Sequence, residues 1–135
     1  MNDHEGTSDE LRSLIADHME AGFLENIIDM FRHDSSLYDL VGELIQDERV
    51  RVRMGVTAMM EELKIRDGYN ISRAVEPLLP LLCHEEDFVR GDALNLLAIA
   101  GGKCVIPFLE EALTDKNPNI RLIAGEAIEE IRKKD

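Results

Sequence analysis

Three stretches of the chain, LIQDERVRVR at 44–53, LLCHEEDFVR at 81–90 and ALTDKNPNIR at 112–121, align without a gap. Each ends in a β-branched residue followed by arginine. After each arginine, apolar residues recur at the third, sixth, seventh and tenth positions. That spacing is the apolar stripe of an amphipathic helix. One helical unit is therefore repeated three times in the same register.

The segments around these three units also have helical spacing, and none alternates apolar and polar residues over the length of a strand. Gly, Pro and Asn divide the chain into about eight helices. Helices of about 10–17 residues are marginally stable alone in water, so neighbouring pairs must bury their apolar stripes against one another. The sequence predicts an all-α fold of about four helical hairpins.

The boundaries follow from these breaks. We predict a disordered acidic tail over residues 1–7 and a single α-solenoid domain over residues 8–135. The first hairpin lacks the repeated motif, and we interpret it as a divergent N-terminal hairpin of the stack. The predicted units are the hairpin at 8–34, repeat 1 at 35–66, repeat 2 at 71–101 and repeat 3 at 103–134.

The composition is strongly acidic. The 135 residues include 28 acidic and 15 basic side chains, and residues 1–48 alone carry 13 acidic and 2 basic ones. Most of this surface would repel a phosphate backbone, so no nucleic-acid partner is expected. No apolar run approaches the roughly 20 residues of a membrane span, and the polar N-terminus is not a signal peptide. We therefore expect a cytoplasmic protein with no membrane partner. The acidic excess either maintains solubility or attracts a basic partner.

Catalytic and metal-binding patterns are not evident in the sequence. Cys83 and Cys104 lack the spacing of a zinc site, and we predict two small thiols that are buried or half-buried, with a redox role left open. The sequence shows neither a nucleophile–base arrangement nor a Gly-rich phosphate loop. The protein is therefore expected not to be an enzyme and to need no metal or cofactor.

The repeats resemble the HEAT repeat, most closely its short bacterial form of the phycobilisome-lyase type. The third repeat carries the pattern most clearly, with Val105-Ile106-Pro107-Phe108-Leu109 followed by Leu113, Asp115 and Ile120-Arg121. The resemblance implies a right-handed α-α superhelix, a HEAT-like solenoid. His84-Glu85 lies outside the register in which an iron-binding enzyme of this family carries its His-Glu pairs, so no metal site is expected there.

The resemblance also implies two sets of residues with shared roles. The first is a ladder of loop aspartates and helix arginines that joins neighbouring repeats, with a histidine in one aspartate position: Asp47, Arg53, His84, Arg90, Asp115 and Arg121. The second is a binding strip on the concave side, at the first, fifth and eighth positions after each arginine: Met54, Ala58, Glu61, Gly91, Asn95, Ala98, Leu122, Glu126 and Glu129.

A strip of small, apolar and acidic groups suits a docked peptide or helix. We therefore interpret the protein as a non-catalytic interaction module or scaffold that binds a protein or peptide along this strip. Two alternatives remain open: an accessory or lyase-like enzyme of the phycobilisome-lyase type, and a self-associating structural protein. A monomer is expected, with a homodimer as the alternative.

Overall fold

The computed structural model describes the backbone of residues 3–134 and the side chains of residues 8–134, and all regular structure in this part of the chain is helical. The prediction of an all-α fold is thus confirmed there. The α-helices are α1 Asp3–Glu20, α2 Leu24–His33, α3 Val41–Leu44, α4 Val50–Arg66, α5 Val75–Leu78, α6 Asp87–Gly101, α7 Ile106–Glu111 and α8 Pro118–Lys133. Short 3₁₀ segments adjoin α3, α5 and α7: Ser35–Leu40, Ile71–Ala74, Leu79–Cys83, Gly102–Val105 and Ala112–Thr114.

The helices form two layers. In one layer α2 contacts α4, α4 contacts α6, and α6 contacts α8. In the other layer α1 contacts α3, and α3 contacts α5. Consecutive hairpins therefore lie side by side, as a stack of helical pairs requires. This arrangement is consistent with a HEAT-like helical fold.

Prolines lie in or beside the short first helices of repeats 2 and 3. Pro77 lies within α5, Pro80 in the 3₁₀ segment after it and Pro107 at the start of α7. Proline has no N–H to donate to a helix ladder. Between neighbouring first helices the packing is very close, since a Cβ added to Gly42 of α3 would lie 2.6 Å from the Pro77 carbonyl oxygen. Only glycine fits at this contact.

One hydrophobic core runs through the stack, from Ile15 in α1 to Ile131 in α8. The N-terminal hairpin belongs to it, because Phe31 of α2 and Tyr38 of the following segment are both fully buried. Their rings meet edge-on, with centroids 5.2 Å apart and an interplanar angle of 85°. Residues 8–34 therefore share an interior with the first repeat.

The N-terminal boundary differs from the prediction. Helix α1 begins at Asp3, whereas the sequence suggested a disordered tail over residues 1–7 and a helix start near Ser8. Residues 1 and 2 lie outside the described residues. In this stretch Gly6 costs a helix only about 1 kcal/mol relative to alanine, which does not prevent the helix from extending.

The run Asp87–Thr114 is long and apolar enough to cross a membrane by length and composition alone, with a mean hydropathy of 1.4 over its best window. In the fold, however, this run breaks at Gly102, whose φ of 56° ends α6. Leu94, Leu96 and Leu97 of α6 are fully buried in the protein core. Burial in the core thus explains the apolar character of the α6 part of this run.

Candidate protein-binding groove

A groove of about 410 Å³ crosses the layer of second helices, between α4, α6 and α8. Each of the three helices supplies part of its wall, because the three repeats stack in one register. The groove is therefore a product of the repeat rather than of any one hairpin. The residues that line it are Thr57, Glu61, Asn95, Ala98, Ile99, Ile123, Glu126, Ala127 and Glu130.

The groove has an apolar floor and an acidic rim. Half-buried or buried Ala98, Ile99, Ile123 and Ala127 provide the apolar surface. The exposed carboxylates line the same groove: Glu61, Glu126 and Glu130. Because apolar and like-charged groups adjoin, this surface favours a ligand that carries both apolar side chains and positive charge.

Two of the three carboxylates are electrostatically uncompensated. Within residues 8–134, neither Glu61 nor Glu126 forms an ion pair or a side-chain hydrogen bond. Burial lowers the pKa of Lys64, and the charge of nearby Glu130 opposes that shift. The nearby carboxylates Glu25 and Glu62 differ, since both pair with Arg66. Negative charge in the groove is therefore concentrated at Glu61 and Glu126.

The structure brings four of the nine predicted strip residues together in this groove: Glu61, Asn95, Ala98 and Glu126. Ala58 lies in an adjacent groove of about 500 Å³ between α2 and α4, which also contains Glu61. Met54 is 67% exposed and lines a smaller recess with Arg53 and Phe88.

The other three predicted strip residues do not line this groove. Gly91 is buried, because a Cβ there would lie 3.2 Å from the Cδ1 atoms of Ile120 and Ile123 in the next repeat. The first position after the arginine thus faces the following repeat. Leu122 and Glu129, on the last repeat, are exposed but do not line the groove.

Sequence reasoning also missed several groove residues. Ile123 and Glu130 of α8 lie one position after the predicted Leu122 and Glu129, and Ile99 of α6 lies one after Ala98. On α8 the groove residues Ile123, Glu126 and Glu130 are the second, fifth and ninth positions after the arginine, which share a helix face, whereas on α4 the groove residues Thr57 and Glu61 are the fourth and eighth. These residues were missed because the sequence of one repeat does not show which side of its helix the neighbouring repeat covers.

The ladder arginines bind main-chain oxygens of their own loops. Nη1 of Arg53 donates to the Asp47 carbonyl at 2.8 Å, and Nη1 of Arg121 donates to the Asp115 carbonyl at 2.7 Å. Arg90 makes the equivalent bond to the His84 carbonyl at 2.9 Å. These three bonds hold each turn against the helix that follows it.

One contact of the ladder, the rung between Arg90 and Asp115, joins two repeats directly. Arg90 is 5% exposed, and its Nε and Nη2 donate to the Asp115 carboxylate at 2.9 and 3.1 Å. Nη2 also contacts Asp87, which in turn accepts a bond from Asn117. Arg90 therefore holds the pKa of Asp115 below its ordinary value. This bidentate pair ties repeat 2 to repeat 3.

The rung between repeats 1 and 2 has a different form, because His84 stands in the aspartate position. Nδ1 of His84 accepts the Glu86 N–H at 3.0 Å, as Asp115 accepts the Asn117 N–H at 2.9 Å. The histidine thus reproduces the local turn bond of the aspartate. Among the described residues, repeats 1 and 2 therefore lack an arginine–carboxylate pair equivalent to Arg90–Asp115 at this position.

Arg53 instead crosses to another part of repeat 2. Its guanidinium carbon lies 4.5 Å from the centre of the Phe88 ring, and its Nε lies 3.8 Å from the Asp92 carboxylate. Burial raises the pKa of Asp92, and Arg53 opposes that shift. A cation–π contact therefore takes over part of the inter-repeat connection.

At the N-terminal side, Asp47 binds within its own repeat. Its Oδ1 accepts from Nε of Arg49 at 3.0 Å, and this bond lowers the pKa of Asp47. Arg49 also reaches Asp17 of α1 at 3.0 Å. The arginine therefore bridges the N-terminal hairpin to repeat 1.

The exposure of the two thiols differs from the prediction. Cys83 and Cys104 are both exposed rather than buried or half-buried. Both lie in 3₁₀ segments at helix ends, where the chain turns away from the core. Among residues 8–134, no group of three or more His, Cys, Asp or Glu side chains is placed to hold a metal ion.

Comparison with protein families bears on the third repeat. Residues 105–131 match the family model of the HEAT repeat. The matched residues include all of α7 and most of α8, and the match supports the HEAT family but not specifically the phycobilisome-lyase type. HEAT repeats are commonly protein-interaction modules and are generally non-enzymatic. Comparisons with curated proteins and with solved structures gave no match.

Proposed function

We propose that this protein is a non-catalytic, HEAT-like binding module that holds a basic segment with an apolar face in the groove between α4, α6 and α8. The observation that carries the proposal is the apolar floor flanked by two uncompensated carboxylates, Glu61 and Glu126. Such a groove offers both contact area and charge complementarity to one class of partner.

A helical or extended peptide suits the groove. Apolar side chains on one face of the peptide would cover Ile99 and Ile123, while Lys or Arg beside them would reach Glu61 and Glu126. The exposed amide of Asn95, which both donates and accepts hydrogen bonds, would serve polar groups of the same peptide. The acidic rim disfavours nucleic acid. We also propose a cytoplasmic setting, where the two exposed thiols would stay reduced.

A designed peptide tests this function. The probe is a labelled amphipathic peptide of about 15 residues, with Leu and Ala on one face and Lys beside them. Its affinity is measured by fluorescence anisotropy at low salt, where charge contributes most. We expect Glu126→Lys to weaken binding by about tenfold, since an attractive charge becomes a repulsive one.

The matched control is Glu43→Lys, which makes the same charge change at an exposed carboxylate on α3, in the other layer of helices. This variant is expected to change the affinity by less than about twofold. A second control peptide carries Glu in place of Lys on the same apolar face and is expected to bind wild-type protein weakly. Equal affinity of the two charge-reversal variants, or of the two peptides, would contradict the assignment of the groove.

A further inference from the structure

The C-terminal end of the stack exposes positions that are covered one repeat earlier. The arginines of repeats 2 and 3 are 31 residues apart, so Leu82 corresponds to Leu113 and Gly91 to Leu122. Leu82 is partly buried against the core and Gly91 is buried, whereas Leu113 is 42% exposed and Leu122 is 60% exposed. Leu113 and Leu122 therefore add exposed apolar surface to the third repeat, as Met54, 67% exposed, does in repeat 1.

The same face ends in an open rung. Arg90 binds the aspartate of the following repeat, whereas the exposed Arg121, its equivalent, bonds within residues 8–134 only to the Asp115 carbonyl. Glu129 is exposed, and in the same part of the chain it has no ion pair or hydrogen bond. One helix thus presents an arginine that uses only Nη1 in the described hydrogen bond and a carboxylate without a described partner.

These groups are arranged symmetrically. Arg121, Gly125 and Glu129 are spaced four residues apart and form one stripe along α8, with each charge about 6 Å from the glycine along the axis. Leu122 is less than one turn from Gly125, and the Leu113 side chain would lie 3.9 Å from a Cβ at Gly125. Two such helices, packed antiparallel about Gly125, place each arginine opposite a glutamate and bring the leucines together.

We propose that this end face binds a second copy of the chain through antiparallel α8 helices related by a two-fold axis. Arg121 of each copy pairs with Glu129 of the other, and Leu113 and Leu122 form the apolar part of the contact. The charge stripe is what selects a second copy as the occupant, because it is complementary to itself in this orientation. Leu122 and Glu126 are one turn apart on α8, so the interface adjoins the edge of the groove.

Sedimentation across a concentration series tests the proposal. The wild-type chain is expected to show a monomer–dimer equilibrium. Arg121→Glu and Glu129→Arg are each expected to raise the dimer dissociation constant by about tenfold or more, since like charges then face each other. The double variant reverses both charges and is expected to return to within about threefold of the wild type.

Two controls make the result specific. Glu43→Arg, at an exposed carboxylate on α3 in the other layer of helices, is expected to leave the dissociation constant unchanged. Circular dichroism checks that each variant retains its helix content. A wild-type chain that stays monomeric up to about 1 mM would overturn the proposal. So would single variants that dimerise as well as wild type, or a double variant that shows no recovery. These results leave the peptide titration unaffected, because that experiment reports on the groove alone.

Discussion

Replacing Phe31 by alanine is expected to lower the free energy of unfolding by about 3–5 kcal/mol, because the ring is fully buried at the junction between the N-terminal hairpin and repeat 1. The substitution removes the edge-on contact with Tyr38 and leaves a cavity in the shared core. Urea denaturation followed by circular dichroism measures the change, and a single cooperative transition is expected to remain.

Phe23→Ala is the matched control, since Phe23 lies in the same hairpin but is 53% exposed. We expect it to lose less than about 1 kcal/mol. If Phe31→Ala cost no more than the control, or if α1 and α2 melted in a separate early transition, the N-terminal hairpin would be an independent unit and not part of one stack.

Replacing Arg90 by alanine is expected to lower the free energy of unfolding by about 3–5 kcal/mol, the usual cost of removing one partner of a buried ion pair. The Asp115 carboxylate would remain at the repeat interface without its guanidinium, and the His84 carbonyl would also lose its donor. Thermal and urea denaturation both measure the loss.

Arg121→Ala provides the comparison, because the same residue type occupies the same repeat position but is exposed and bonds to a single carbonyl. Its expected cost is below about 1 kcal/mol when measured at low protein concentration. Equal costs at the two positions would show that the Arg90–Asp115 rung contributes nothing beyond the local turn bond.

The sequence determined the helical architecture well because that information is local and repeated. Three copies of one apolar stripe, each after a β-branched residue and an arginine, indicate helices that pack against equivalent neighbours. The start of α1 was less predictable, since no proline marks it and one glycine is a weak helix breaker. The exposure of Cys83 and Cys104 depends on where the chain turns at helix ends, which composition does not specify.

The groove was only partly predictable because its walls depend on contacts between repeats. Asn95 and Glu126 follow from the register of each helix, whereas Gly91 is buried only because Ile120 and Ile123 of the next repeat cover it. The new partners of Arg53 likewise depend on where α6 places Phe88 and Asp92. A histidine in the aspartate position indicates that the ion pair between repeats 1 and 2 is lost, but it does not predict which contacts Arg53 makes instead.

The most direct test of the groove is chemical-shift mapping of the isotope-labelled chain during titration with the Lys-bearing peptide. The proposed function predicts the largest amide shifts on α6 and α8 around Asn95, Ala98, Ile123 and Glu126, with little change along α5 and α7. Shifts centred on α5 and α7, or spread evenly over the acidic surface, would contradict a peptide held between the second helices.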